Sequence, residues 1–420
     1  MHDVQGNRPI VARLSLECSG FVARPPARPP GRRQSLDPGA SRADNGATMP
    51  PRTLPPAVPG RHPAIWQRQE AQGLAIPGFS RPEDVVGWFG AVQAQEYGPA
   101  RWALGLRLQG EPADAAVASA FDEGRLLRAH VLRPTWHFVT PADLRWMLAL
   151  TGPRIQRTMA PYDRRLEIDA PTLKKARRVF EQTLTATPHR TRAELAGALA
   201  AKGIAAGGQR LAHLVMHAEL EAVICSGPRR GRQFTYALVD QRAPGALRLD
   251  ADQALETLVV RFFRSHGPAT ARDFAWWSGL RISDATRVLG HLRAPSIEID
   301  GLRYWWIESG VAATAARPLV HLLPIYDEYA VAYRDRVLVP HGAPSAAAGP
   351  VRSVVFQHAL VIDGQIAGTW RVAAGAKAPA VDVHPFRRLT AAERAGIGAA
   401  AARYERFVGV PVRLRIAGAR

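Results

Sequence analysis

Apolar positions recur along this chain with two periods, and the switches between them mark out its elements. Helical spacing runs from Ala64 to Gly73 and again after Ser80, where Val85, Trp88, Phe89 and Val92 stand at i, i+3, i+4 and i+7 and turn one face inward. Ser80-Arg-Pro82-Glu83 offers a capping box with proline in the first turn, and Gly98-Pro99 is the expected stop, so Gln93 and Gln95 are expected at the C-terminal end of this helix. A third helix is expected from Ala113 to Arg128. Val131 to Val139 alternates instead, with Leu132, Trp136 and Phe138 on one side and Arg133, Thr135 and His137 on the other. A strand is expected there, at a sheet edge because Pro134 has no N–H to give a ladder. Three helices and an edge strand follow the order of a winged helix in degenerate form.

The next two units repeat that order more cleanly. Helical spacing at Thr172–Thr185, a Thr191-x-x-Glu194 capping box, helical spacing at Gln209–Glu221, and strands at Val223–Cys225 and Phe234–Val239 around the basic turn Pro228-Arg-Arg-Gly-Arg232 make the first. The pattern returns 79 residues on, with Asp252–Ser265, a Thr270-x-x-Asp273 box, Ile282–Leu292 and a hairpin from Ile297 to Trp306. A repeated helix-turn-helix with a wing is moderately specific for proteins that associate with DNA, although winged helices also serve as protein-binding scaffolds. Beyond Pro318 the texture changes. Leu322 to Tyr329 leads to strands at Ser353–Ile362 and Gln365–Val372 joined by Asp363-Gly364, a strong hairpin signal, then a helix capped by Thr390 and Glu393 and a strand at Val410–Ile416. The expected fold is α+β: tandem winged helices over 63–170, 171–245 and 246–318, with a β-rich α+β cap over 319–420.

Composition narrows the partner. Residues 1–62 hold 11 of the 34 prolines and too few apolar residues to offset ordering entropy, so a disordered tail is expected, with Met49 as an alternative start. Its nine arginines against four acidic residues carry +5 of the chain's +19, leaving +14 on the remainder. That surplus favours a polyanionic partner, although Arg-rich composition also follows from a GC-rich coding sequence. Cys18 and Cys225 lie far apart with no CxxC or histidine partner spacing, which argues against a disulfide framework or a zinc site and for a reducing cytoplasm. No apolar run is long enough to span a bilayer.

The run Gln93-Ala-Gln95-Glu-Tyr with Trp102-Ala-Leu-Gly-Leu-Arg-Leu, the segment Leu132-Arg-Pro-Thr-Trp-His-Phe-Val139, the stretch Leu323-Pro-Ile-Tyr-Asp-Glu-Tyr329 to Tyr333-Arg-Asp-Arg336, and Val361-Ile-Asp-Gly-Gln-Ile-Ala-Gly-Thr-Trp-Arg371 together resemble the winged-helix superfamily of AlkZ-like and YcaQ-like DNA glycosylases, in the family's order from about 63 to 420. The resemblance implies a concave scaffold for double-stranded DNA, no metal or redox cofactor, and excision of N-alkylated or crosslinked bases. It also implies a catalytic Gln-apolar-Gln, matched by Gln93-Ala94-Gln95, whereas the YcaQ-type pattern has Asp in the last place.

An amide carbonyl can hold a water and face a developing sugar cation, but it does not titrate near neutrality and is no general base. Such a pair suits a base already activated by its own positive charge. Arg133, Thr135 and His137 are candidates beside the DNA, His137 equally as a structural strand residue. Arg229, Arg230 and Arg232 are candidate phosphate contacts at a wing tip. Asp327 and Glu328 are expected as internal partners of arginines, with catalysis as the minor alternative. The chain is expected to act as a monomer at the nucleoid. A transcription regulator using the same winged helices without chemistry, and a protein-binding scaffold, remain the alternatives at this point.

Overall fold

The computed structural model of the chain describes residues 63–307, 318–334, 356–373 and 379–418. The tail 1–62 with Met49, Asp335, Arg336 and the first residues of the strand expected from Ser353 lie outside the described residues.

Helix α1 (Pro63–Ala71) is followed by α2 (Pro82–Phe89), which ends earlier than its apolar spacing suggested. Gly90 takes φ +85°, closes the helix on Val86 O, and turns the chain into the two-residue strand β1 (Val92–Gln93). The expected capping box does not form: Arg81 is the N-cap residue, and the Ser80 hydroxyl accepts from Gln109 Nε2 at 2.6 Å. Pro99 stops nothing. It sits in the first turn of α3 (Tyr97–Gly105), where its missing N–H forfeits no helical bond. Helix α4 (Asp114–Asp122) gives out before Gly124 (φ +84°), so Leu127–His130, expected partly as helix, forms strand β2.

Strand β3 is only Trp136–Val139, and it is the central strand of a sheet ordered β1-β3-β2, antiparallel throughout. The expectation of an edge is therefore corrected. Pro134 precedes the strand instead of interrupting it, so β3 keeps donors for both neighbours. Helix α5 (Pro141–Arg165) then leads to the repeated units.

The first comprises α6 (Ala170–Ala186), β4 (Arg190–Thr191), α7 (Arg192–Ala200), α8 (Gly208–Leu220), β5 (Ile224–Ser226) and β6 (Thr235–Leu238), closed by α9 (Val239–Arg242). The second comprises α10 (Ala251–Ser265), α11 (Ala271–Ser278), α12 (Ile282–His291) and the hairpin of β7 (Ser296–Ile299) and β8 (Leu302–Trp305). Both expected capping boxes form, Thr191 with Glu194 and Thr270 with Asp273. The C-terminal part holds β9 (Val320–Leu323), α13 (Glu328–Val331), β10 (Ala359–Ile362), β11 (Gln365–Ala373), β12 (Ala380–Pro385), α14 (Ala391–Val408) and β13 (Arg413–Ile416), in a sheet ordered β13-β12-β11-β10-β9. Its Asp363-Gly364 turn has both residues at positive φ, as a tight hairpin requires. Strand β12 had no counterpart in the sequence reading. The fold is mixed α+β, and no helix among the described residues is long and apolar enough to cross a membrane.

Among the described residues, three large cores and one small cluster, Ala64, Ile65 and Tyr304, hold these elements. One joins Val85, Phe89, Trp102, Phe121 and Phe138 to Leu322, Val361, Trp370 and Phe407, so the first sheet and the C-terminal sheet share an interior. A second packs α5 against α10 and α11 through Trp146, Leu258, Phe262 and Trp277, and the third closes α6 to α8 over Phe180, Leu195 and Leu214. Between the first two runs a buried ion pair: Arg107 grips Asp327 with two bonds of 2.9 Å, and Asp327 also accepts Tyr329 N–H. Breaking such a pair from one side costs about 3–5 kcal/mol, since the other charge stays buried. This couples α3 to the start of α13 and brings Glu328 to the first sheet.

Candidate active site

The backbone of Gln93-Ala94-Gln95 is gripped from two sides. Register pairs Gln93 with His137 across the sheet, and Ala94 N–H continues onto Trp136 O at 2.7 Å. Arg128, from β2, donates Nε–H to Ala94 O at 2.9 Å and Nη2–H to Gln95 O at 3.3 Å, with its guanidinium 4.4 Å from the centre of the Trp136 ring. Burial draws the Arg128 pKa down to about 10, leaving it a cation at neutral pH. On the other side Gln93 N–H is bonded to Glu328 Oε1 at 2.7 Å.

The segment read as a continuous strand is in fact a kink. Arg133 N–H bonds to Val131 O and Thr135 N–H to Arg133 O, both at 2.7 Å, two successive three-residue turns of which the first is centred on Leu132 at φ +63°. A leucine in that conformation is strained by about 1–3 kcal/mol. It is held there because its side chain is buried, its N–H meets Thr151 Oγ1, and Gly279 lies against its carbonyl, where a Cβ would stand 3.0 Å from the oxygen. The kink aims Arg133 back across the sheet, and its Nη2 reaches Gln93 Oε1 at 2.7 Å. Trp136 N–H meets Gln95 Oε1 at 3.3 Å.

Those two contacts orient both amides. A guanidinium and a peptide N–H only donate, so each glutamine must turn its oxygen toward them, keeping one carbonyl lone pair and offering Nε2–H elsewhere. Gln93 is 6% exposed and Gln95 half-buried. His137, fully buried, bonds Thr135 O through Nδ1 at 2.8 Å; a carbonyl only accepts, so Nδ1 carries the hydrogen and Nε2 is a bare acceptor. Burial pushes its pKa well below the ordinary histidine value, and the charge of Arg133 adds to the effect. His137 Nε2, Thr135 Oγ1 and Arg133 Nε have no partner among the described residues. Buried polar atoms without partners, collected beside two oriented amides, are groups waiting for water or a ligand.

Residues 86–407 match the family described as DNA glycosylase AlkZ-like, a span that takes in the Gln motif, the kink, both repeats and the C-terminal sheet up to β12. The chain belongs to the AlkZ-like DNA glycosylase family. It is thus a DNA glycosylase, a hydrolase whose substrate is DNA. Among solved structures it is similar to the Streptomyces sahachiroi DNA glycosylase AlkZ, with a TM-score of 0.66 and 21% identity over 84% of this chain and 99% of that one, a likeness of fold. No curated protein matches it.

In this AlkZ-like glycosylase the structure draws together Gln93, Gln95, Arg133, Thr135 and His137. The wing arginines lie apart from one another in their partnerships. Arg229 forks onto Asp122 (2.8 and 3.1 Å), Arg230 bonds Glu194 (2.9 Å) and His189 O (2.7 Å), and Arg232 is exposed. Two of the three charges are already engaged within the protein. Arg154 and Arg157 on α5 and Arg281 at the head of α12 are exposed and carry no ion pair among the described residues. Arg154 lies beside Gly279, the residue that touches Leu132 O, and its pKa is lowered by burial and then by the like charges of Arg157 and Arg281. Sequence reasoning missed this patch, and it missed Arg128, taken as the end of a helix. The pairing expected for Asp327 is present, whereas Glu328 bonds the motif and Trp277 directly and, among the described residues, no arginine. Nothing local announces that partner, 235 positions away in the chain.

Proposed function

We propose that this glycosylase hydrolyses the N-glycosidic bond of purines made cationic by alkylation, N7- or N3-alkylpurines and crosslinks built on them, with Gln93 and Gln95 as its catalytic pair. What supports the reading is the orientation of the two amides beside buried polar atoms that have no partner among the described residues. Arg133 draws electron density from Gln93 Oε1, which strengthens Gln93 Nε2 as a donor and weakens its second lone pair. Gln95, bound only by a longer contact from a backbone N–H, keeps the better acceptor. Gln95 is therefore assigned to the attacking water and to the sugar's developing positive charge, and Gln93 to orienting the substrate, with His137 Nε2 as a second, neutral acceptor for water. None of these groups is an acid strong enough to protonate an uncharged base as it leaves, whereas a cationic alkylpurine takes the bonding electron pair and departs as a neutral molecule, which is why the substrate class is the cationic one.

The repeated helix-helix-helix-hairpin units support tandem winged helices, over 63–170, 171–245 and 246–318, as the scaffold, with 319–420 closing the site from behind. The duplex is proposed to cross Arg154, Arg157 and Arg281, which have no ion pair among the described residues, next to the kink, with the exposed Arg232 beside it on the wing and the protein working as a monomer at the nucleoid. Single-turnover release of 7-methylguanine from methylated duplex DNA tests the activity. Tight duplex binding without release of any alkylated base would leave a non-catalytic winged-helix DNA-binding protein.

A further inference from the structure

The turn between β9 and α13 delivers two buried carboxylates toward the Gln motif, and only one of them is neutralised by an arginine. Asp327 has the Arg107 fork. Glu328, 1% exposed, has no guanidinium partner among the described residues. Its Oε1 accepts Gln93 N–H at 2.7 Å, its Oε2 accepts Trp277 Nε1–H at 3.0 Å, and His266 Nε2 lies 3.5 Å from Oε2.

Strand β1 is the edge of its sheet, so Gln93 N–H points away from β3 and has no further strand to bond. A buried N–H in that position costs about 1–3 kcal/mol if left alone. Glu328 takes the place of the missing strand. Two donors rest on two different oxygens, which a carboxylate accepts and an amide cannot, because an amide has one acceptor oxygen and would turn its own NH₂ toward the second N–H. The negative charge has a counterpart in Arg133, which interacts with Glu328 through space while holding Gln93 Oε1. A lone guanidinium there would oppose the positive charge that grows on the sugar as the glycosidic bond breaks.

We propose that Glu328 is a positioning residue for excision: it fixes the backbone of Gln93, and with it the reach of both amides, and its buried charge offsets that of Arg133. The proposal rests on the reading of Gln93 and Gln95 as catalytic. The test is a double-mutant cycle in the full-length protein with Glu328→Gln, Gln93→Ala and the double variant. Single-turnover release of 7-methylguanine, affinity for the same duplex, and thermal melting are measured for each.

Glu328→Gln is expected to slow excision about 10- to 100-fold with affinity changed by less than about threefold. In the Gln93→Ala background the same substitution is expected to cost clearly less than in the wild type, because one of the two amides it positions is gone. Melting temperature, by contrast, falls by a similar amount in both backgrounds. Equal rate losses in the two backgrounds assign Glu328 a merely structural role and overturn the proposal. Wild-type excision by Glu328→Gln beside impaired Gln93→Ala overturns it alone, while wild-type excision by Gln93→Ala removes the catalytic reading and the proposal with it. Should Glu328→Gln not fold, Glu328→Asp carries the test: it keeps the charge but draws it back by one methylene, and slowed excision at unchanged affinity is the expected result, with wild-type excision the refuting one.

Discussion

Truncating the two glutamines separately should give two different kinds of damage. Gln95 is half-buried and makes one side-chain contact, 3.3 Å from a backbone N–H, so Gln95→Ala is expected to cost less than about 1 kcal/mol of stability. Gln93 is buried and supplies the 2.7 Å acceptor for Arg133 Nη2, on a guanidinium whose Nε already has no partner among the described residues. Gln93→Ala therefore strands a desolvated cation and is expected to cost about 1–3 kcal/mol. In the reaction each loses one preorganised polar group, about 2–4 kcal/mol of barrier, or about 30- to 1,000-fold in rate. Gln95→Asp should fall less than Gln95→Ala, because a carboxylate still accepts Trp136 N–H and orients a water. The assays are single-turnover release of 7-methylguanine at saturating enzyme, chemical denaturation, and duplex binding at fixed salt. Excision at the wild-type rate in both alanine variants would refute the catalytic assignment. A stability loss in Gln95→Ala as large as that in Gln93→Ala would refute the orientation argued for the amides.

Reversing Arg154 and Arg157 to Glu should lower the log–log salt slope of duplex binding by about two phosphates or more without loss of melting temperature, since like charges are being separated; Arg229→Ala with Arg230→Ala should leave the slope nearly unchanged and reduce stability instead. The opposite pattern would return the phosphate contact to the wing. Burial holds His137 neutral, with its pKa below the ordinary value, so the excision step should be level between about pH 6 and pH 8.5, and a wild-type inflection near 6.5 that His137→Asn abolishes would contradict this. Asp163 is raised by burial, but its bonds from His213 and His217 win and hold its pKa at about 2 against an ordinary 3.8. A depressed carboxylate stabilises the fold above its unfolded pKa and loses that contribution as the pH falls through its folded one. The stability advantage of the wild type over Asp163→Asn should thus be constant above about pH 5 and shrink from there toward pH 2, as measured by denaturation across that range.

What the sequence determined by itself acts within a turn or two of chain. The capping boxes at Thr191 and Thr270, the repeat spacing, and the Asp363-Gly364 hairpin depend on a side chain meeting backbone three residues away, or on residues that tolerate positive φ. Those signals survive in one dimension. The Gln-Ala-Gln motif was likewise visible as residues, but its setting was not. Apolar spacing through Val92 argued for helix, and Gly90 with the pull of a partner strand decided otherwise. Alternation from Val131 to Val139 argued for strand, and the kink at Leu132 wins because burial, Thr151 and Gly279 together outweigh its strain.

The site is assembled across distances that no local rule spans. Arg128 holds the motif's carbonyls from β2, two strands across the sheet, Glu328 holds its N–H from 235 positions along the chain, and Arg229 and Arg230 pair with Asp122 and Glu194 while Arg232 stays exposed. A surplus of 19 positive charges tells that a polyanion is welcome; which arginines remain unpaired to meet it is a property of three-dimensional neighbours. The reason is the same throughout: an edge N–H, a buried carboxylate and a guanidinium are satisfied by whatever the fold brings within about 3 Å, and chain order does not record that distance.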